Sequence, residues 1–143
     1  MSTSTVDVQS APQAAEQTQI QNRLTEIFDA ATKKDFARLD GYHLYGPKFT
    51  KFATESPSRE DAVAAREAEH NGLNAVSGMK IQLANLKIDV FQNVGVATFQ
   101  MRYSFNVGTN SVERDAKGTL VLVNDVGSWK IVHEHFSAIE PKP

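Results

Sequence analysis

Apolar side chains change their period along this chain, from helical spacing in the first half to strict alternation after Gly78. Ile20, Leu24, Ile27, Phe28 and Ala31 make one stripe, which predicts a helix over Gln13–Lys33. Ser10 and Pro12 are its start signals. Asp35 is placed to cap a short second helix that buries Phe36 and Leu39 and ends at Gly41. After an aromatic loop, Phe49–Ala53 reads as a short strand with Phe49 and Phe52 as its bulk. Ser58 and Asp61 sit at capping-box spacing and open a third helix to about Asn71, with Gly72 as its stop. Its stripe of Ala62, Ala65 and Ala68, with Val63, is thin, which predicts a cover on a sheet and not a core post.

Four long strands follow. In the first, Met79–Gln92, the residues Met79, Ile81 and Leu83 alternate in one phase and Leu86, Ile88 and Val90 in the other. Uncorrected, such a slip would turn half the apolar set to the wrong face, so it predicts a β-bulge near Ala84-Asn85. The second strand is two-faced: Ala97, Phe99, Met101, Tyr103 and Phe105 on one side, Thr98, Gln100, Arg102, Ser104 and Asn106 on the other. Ser111–Asn124 and Trp129–Ile139 complete an antiparallel meander. Helices first and a meander afterwards predict an α+β fold, about three N-terminal helices packed on a curved antiparallel four-stranded sheet. Residues 1–12 are expected to form a flexible leader and residues 13–140 the domain.

Composition narrows the chemistry. A chain of 143 residues with 41% hydrophobic and 22% charged side chains matches an ordinary globular domain. The 15 basic and 17 acidic side chains form no basic block, so nucleic acid is not an expected partner. No stretch is long and apolar enough to span a membrane. Cysteine is absent, which excludes disulfides, thiol catalysis and zinc–thiolate sites and fits a cytoplasmic chain. There is no phosphate loop and no nucleophile elbow, and no cofactor is expected.

The closing strand carries the chain's densest polar pattern, Trp129-Lys130-Ile131-Val132-His133-Glu134-His135-Phe136-Ser137. His133 and His135 share one face. A metal site would need a third ligand that the sequence does not offer, so both read as sheet-face histidines. This strand resembles the end of SnoaL-like domains of the NTF2-like superfamily, near the branch of the calmodulin-dependent kinase II association domain. The resemblance implies a cone, in which helices close one mouth of a curved sheet around a ligand hollow, and a homodimer through the outer sheet face.

The ketosteroid isomerase branch places a Tyr where this chain has Ile27, and an Asp base in the strand that here reads Phe49-Thr50-Lys51-Phe52. Neither catalytic group is present. The association-domain branch carries pocket arginines where this chain has Leu120 and Phe136, an exchange that favours an apolar ligand, or none, over a carboxylate; the first reading is a small-molecule binding domain for an apolar or polyketide-like compound.

On that frame the cone is bounded by Phe99, Met101, Tyr103, Leu120, Leu122, Val132, Glu134 and Phe136, with Tyr42, His43 and Tyr45 towards its mouth. The loop aromatics suit a ligand gate or a plug equally. Glu134 is either an inward acid–base group with its pKa raised by burial or a solvated rim charge. Tyr103 or His43 would polarise a substrate beside it. Thr98, Gln100, Arg102, His133 and His135 form the expected dimer contact. The competing reading is a non-catalytic accessory domain whose cone is filled by its own side chains.

Overall fold

The structure, a computed structural model, describes residues 13–140; the expected leader with Ser10 and Pro12 lies outside the described residues. Helix α1 spans Ala14–Thr32 and buries Ile20, Leu24, Ile27 and Ala30. Asp35 accepts from the Arg38 N–H and starts α2, Phe36–Gly41. The third helix, α3, spans Ala62–Asn74. Its cap is Asp61, whose carboxylate accepts from the Ala64 N–H at 2.9 Å, so the expected start at Ser58 moves three residues on. Gly72 does not stop α3, which runs through it to Asn74.

The strands are β1 (Thr50–Phe52), β2 (Ser77–Phe91), β3 (Val94–Val107), β4 (Asn110–Asp125) and β5 (Ser128–Ala138), in the order β1-β5-β4-β3-β2. The sheet therefore has five strands, since β1 joins its edge parallel to β5. It is curved and unclosed, and two irregularities matter for the interior. Ala84 faces Gln100 but Lys87 faces Thr98, so β2 carries an extra residue where the phase slips. Asn85 takes it up with φ 53, and its side-chain amide donates to Gln100 Oε1. Leu83 and Leu86 consequently both pack on the core.

On β5, Val121 faces His133 while Leu122 faces Ile131, which leaves Val132 as the extra residue. Trp129 and Ile131 point inward before this bulge, and Glu134 is the next buried residue after it. The core unites α1, Leu39, Phe49 and Ala65 with the inner sheet face. Gly118 sits between Phe99 and Phe136 across three strands, and a Cβ there would come within 2.6 Å of the Phe99 ring. A hydrogen at that position lets the two rings meet over the sheet.

Candidate functional site

Strand β5 gathers the site. The Tyr42–Leu44 segment runs parallel to it, with Leu44 N–H donating to Ile131 O and Ile131 N–H to Tyr42 O. Farther along, β1 does the same, setting Lys51 opposite Glu134. His43 and Lys51 thus reach the same carboxylate from two segments. His43 Nε2 lies 2.6 Å from Glu134 Oε1, and Lys51 Nζ lies 2.9 Å from Glu134 Oε2. Helix α3 adds Glu69, whose Oε2 is 3.4 Å from Lys51 Nζ. His43, Lys51 and Glu134 are all buried.

Geometry assigns the protons. His43 Nδ1 lies 2.8 Å from the Leu39 carbonyl, an acceptor only, and Nε2 faces a carboxylate. A ring between two acceptors is satisfied when both nitrogens carry hydrogen. Burial opposes that charge, but Glu134 and then Glu69 outweigh it and raise the imidazole to about 9. Burial likewise opposes ionisation of Glu134, yet Lys51 and then His43 hold its carboxyl well below the usual carboxylate range. The expected upward shift of Glu134 is thus corrected: burial acts as anticipated, and two adjacent cations overcome it. Glu69 goes the other way. Burial first, then repulsion from Glu134, raises its pKa, with Lys51 and His43 offsetting only part.

His43, Glu69 and Glu134 offer ligand atoms within 4.8 Å of one another, a spacing that would suit a metal ion. Lys51 already supplies a cation there, 2.9 and 3.4 Å from the two carboxylates, and His43 Nε2 is engaged. The donor set is a salt-bridge cluster better suited to an ammonium than to a metal.

Above this cluster lies a cavity of about 160 Å3 between the helices and the inner sheet face. Ile27, Phe28 and Leu73 line the helix side, and Met101, Tyr103, Leu120 and Phe136 the sheet side, with His43, Glu69 and Glu134 among the lining groups. Tyr42, Tyr45, Phe99, Leu122 and Val132 do not line it. Val132 is displaced by the β5 bulge, and Ile131 faces inward in its place. Phe99 and Leu122 are spent in the packed core. Tyr42 turns to α1, its hydroxyl donating to Glu26 and its ring lying under the Arg23 guanidinium. Tyr45 stacks on His43 at 4.7 Å and meets Phe49 edge-on. The loop thus packs its aromatic rings around His43.

The model of the SnoaL-like domain matches residues 20–141. The chain belongs to the SnoaL-like domain family. Among solved structures, it is similar to a candidate dehydratase of the NTF2-like family from Streptomyces avermitilis, at 13% identity over 92% of this chain and 100% of the other, with TM-score 0.83. It is also similar to a candidate scytalone dehydratase from Novosphingobium aromaticivorans, at 11% identity over 89% and 86%, with TM-score 0.78. A candidate calmodulin-dependent kinase II association domain from Xanthomonas campestris matches at 14% identity over 93% and 95%, with TM-score 0.74. At these identities the likeness is one of fold. No curated protein matches the sequence.

The outer face of this SnoaL-like sheet carries the remaining expected residues. Thr98, Gln100, Arg102 and His135 are exposed and His133 is half-buried. β4 lies between the two groups, so Thr98 and His135 are joined through Thr119. His133 Nδ1 bonds the Thr50 hydroxyl and His135 Nε2 the Ser137 hydroxyl.

Lys51 and Glu69 went unassigned in the sequence, and each left a signal. With Phe49 inward, period two puts Lys51 on the same side and Phe52 outside, where it is 40% exposed. This reverses the expectation that Phe52 supplies bulk. On α3, Ala62, Ala65, Glu69 and Leu73 fall on one helical stripe, so Glu69 is an acid at a core-facing position.

Proposed function

We propose that this SnoaL-like domain binds a small, largely apolar molecule in the cavity and turns its polar end to the His43–Glu134–Lys51 cluster. One observation carries the reading: His43 and Glu134, two members of a buried ionic cluster completed by Lys51, line a cavity whose walls are otherwise mostly apolar. Burying charges costs several kcal/mol per ion unless they are paired, so such a cluster at a ligand cavity supports a role in recognition or acid–base chemistry. In this reading Glu134 is the fixed anion that keeps His43 protonated, and His43 and Tyr103 polarise the ligand. Dehydration or isomerisation fits these groups, and two structural relatives are candidate dehydratases. A cavity near 150 Å3 admits a benzene-sized molecule, so a single substituted ring fits better than a multi-ring polyketide.

The test is a nuclear magnetic resonance titration with small aromatic compounds. Shifts at Leu73, Met101, Leu120 and Phe136 are expected, and Ala31→Phe, which fills the cavity from α1, should abolish them. Shifts that persist in that variant would place binding elsewhere.

A second reading is favoured by the outer sheet face, which no described helix covers: a homodimer, with or without a ligand. Association domains among the structural relatives support it. The cysteine-free composition supports a cytoplasmic setting. Among the described residues no helix is long and apolar enough to cross a membrane.

A further inference from the structure

Glu134 and Glu69 divide the cations of the cluster unequally. Glu134 lies 2.6 Å from His43 Nε2 and forms an ion pair of 2.9 Å with Lys51 Nζ, while Glu69 accepts one long hydrogen bond, 3.4 Å, from Lys51. The other oxygen of Glu69, Oε1, is buried with no hydrogen-bond partner among the described residues. Two carboxyl groups this close do not ionise independently, and the one with shorter bonds to cations ionises first. Glu69 also occupies a wall between two spaces. It lines the apolar cavity, and it lines a surface cleft beside α3 with Lys51, Glu55, Pro57 and Glu60. Its side chain is 18% exposed, against 4% for Glu134, so it is the carboxyl of the pair with access to water.

We propose that Glu69 is the group that meets the ligand, as a neutral carboxylic acid donating a hydrogen bond to the carbonyl oxygen of a compact aromatic ketone or aldehyde. This rests on the reading of the cavity as a ligand site and adds the ligand's functional group. The unpaired oxygen, the like charge of Glu134 and the shorter distances of both cations to Glu134 all point to it. Around Glu69 the charged and titratable groups are Lys51 on β1, Glu134 on β5, and His43 and Tyr45 in the loop, with Glu60 across the outer cleft. Arg66 and His70 on its own helix are engaged by Asp40. Upward displacement of the Glu69 carboxyl by burial supports the neutral form.

The experiment compares acetophenone with isopropenylbenzene, the same shape with a methylene group in place of oxygen, as ligands of the full chain. Acetophenone is expected to bind about tenfold more tightly at mildly acidic pH, the worth of one net hydrogen bond. That preference should fade as pH rises and Glu69 ionises. Glu69→Gln should keep the preference and lose its pH dependence, because an amide donates without titrating. Glu69→Leu should lose the preference and still bind the hydrocarbon. In the wild-type protein the bound carbonyl stretch should move to lower frequency at acidic pH and return at alkaline pH, a readout independent of any variant. Equal binding of both probes, unchanged by Glu69→Leu, would overturn the assignment of Glu69 and leave the cavity reading standing. Preference for phenol, growing with pH, would overturn it too, since Glu69 would then act as a carboxylate acceptor. Failure of both probes to bind the folded protein would overturn the cavity reading and this inference together.

Discussion

Lys51 is held by two carboxylates in a site where its side chain is 10% exposed. Replacing it with Met removes the charge but keeps much of the volume, leaving Glu134 with one cation and Glu69 without its hydrogen-bond donor. Breaking a buried pair from one side is costly, so Lys51→Met should lower stability by about 3 kcal/mol in urea unfolding. The cluster also sets a pH profile. His43 is raised from 6.5 to about 9, so its contribution is complete below pH 6.5 and disappears as pH climbs through 9. Glu134 is depressed from 4.5, so its contribution is present above that value and lost as pH falls below it. Glu69 is raised and therefore favours the folded state most when protonated, adding to the alkaline loss. Stability should peak between these limits and fall by about 3 kcal/mol towards alkaline pH through His43 alone. His43→Asn should flatten the alkaline limb, and an unchanged limb would refute the imidazolium. At this scale the sequence was legible for residues that follow the period of their strand or helix. Glu134 could be placed on a strand face but not given a charge state, because its partners come from segments 83 and 91 residues away. Alternation does not encode that pairing.

Each strand connection must turn the chain within a few residues, and the β4–β5 hairpin does so through Val126 and Gly127, with φ of 50° and 83°. Glycine adopts this region freely, whereas a β-branched residue there is strained. Val126 is also fully exposed, so its side chain gains nothing in packing. Asn-Gly is the preferred pair for such a turn, and Val126→Asn should add about 1 kcal/mol of stability. A thermal melt that does not move would show that the turn relaxes the strain another way. The bulge on β2 could be read from its phase slip because apolar residues flank it on both sides. The bulge on β5 could not, since Ile131 and Val132 are both apolar and either phase fits. Caps behaved similarly: Asp35 stood alone as a candidate, whereas Ser58 and Asp61 competed. Glu60 settles that contest, since its backbone pairs with Lys51 and keeps the helix from starting before Asp61.

For the molecule as a whole, the order of helices and strands carried the α+β class, because a period of two cannot be mistaken for 3.6 over strands this long. The parallel addition of β1 was not legible, since a three-residue strand has too few side chains to reveal its partner. Its arrival has a consequence outside as well as inside. Lys51 goes to the cluster, so Phe52 emerges on the outer face, with its ring 5.4 Å from His135 and 6.2 Å from His133. Beside them runs the row Thr98–Thr119–His135, followed by Gln100–Lys117–Ser137. Among the described residues, the helices pack on the opposite face and leave these rows uncovered. Polar side chains around an exposed aromatic ring match the rim and centre of a protein interface. A stable dimer needs roughly 800 Å2 from each partner, which the outer face of three long strands can provide. Light scattering at micromolar concentration should therefore return the mass of a dimer. Thr119→Arg places charge at the middle of the face and Phe52→Glu at its β1 edge, and each should shift the mass to that of a monomer, with near-ultraviolet circular dichroism unchanged. A wild-type monomer would remove the dimer, while a dimer insensitive to both substitutions would move the contact to another surface, with the edge strand β2 as the next to test.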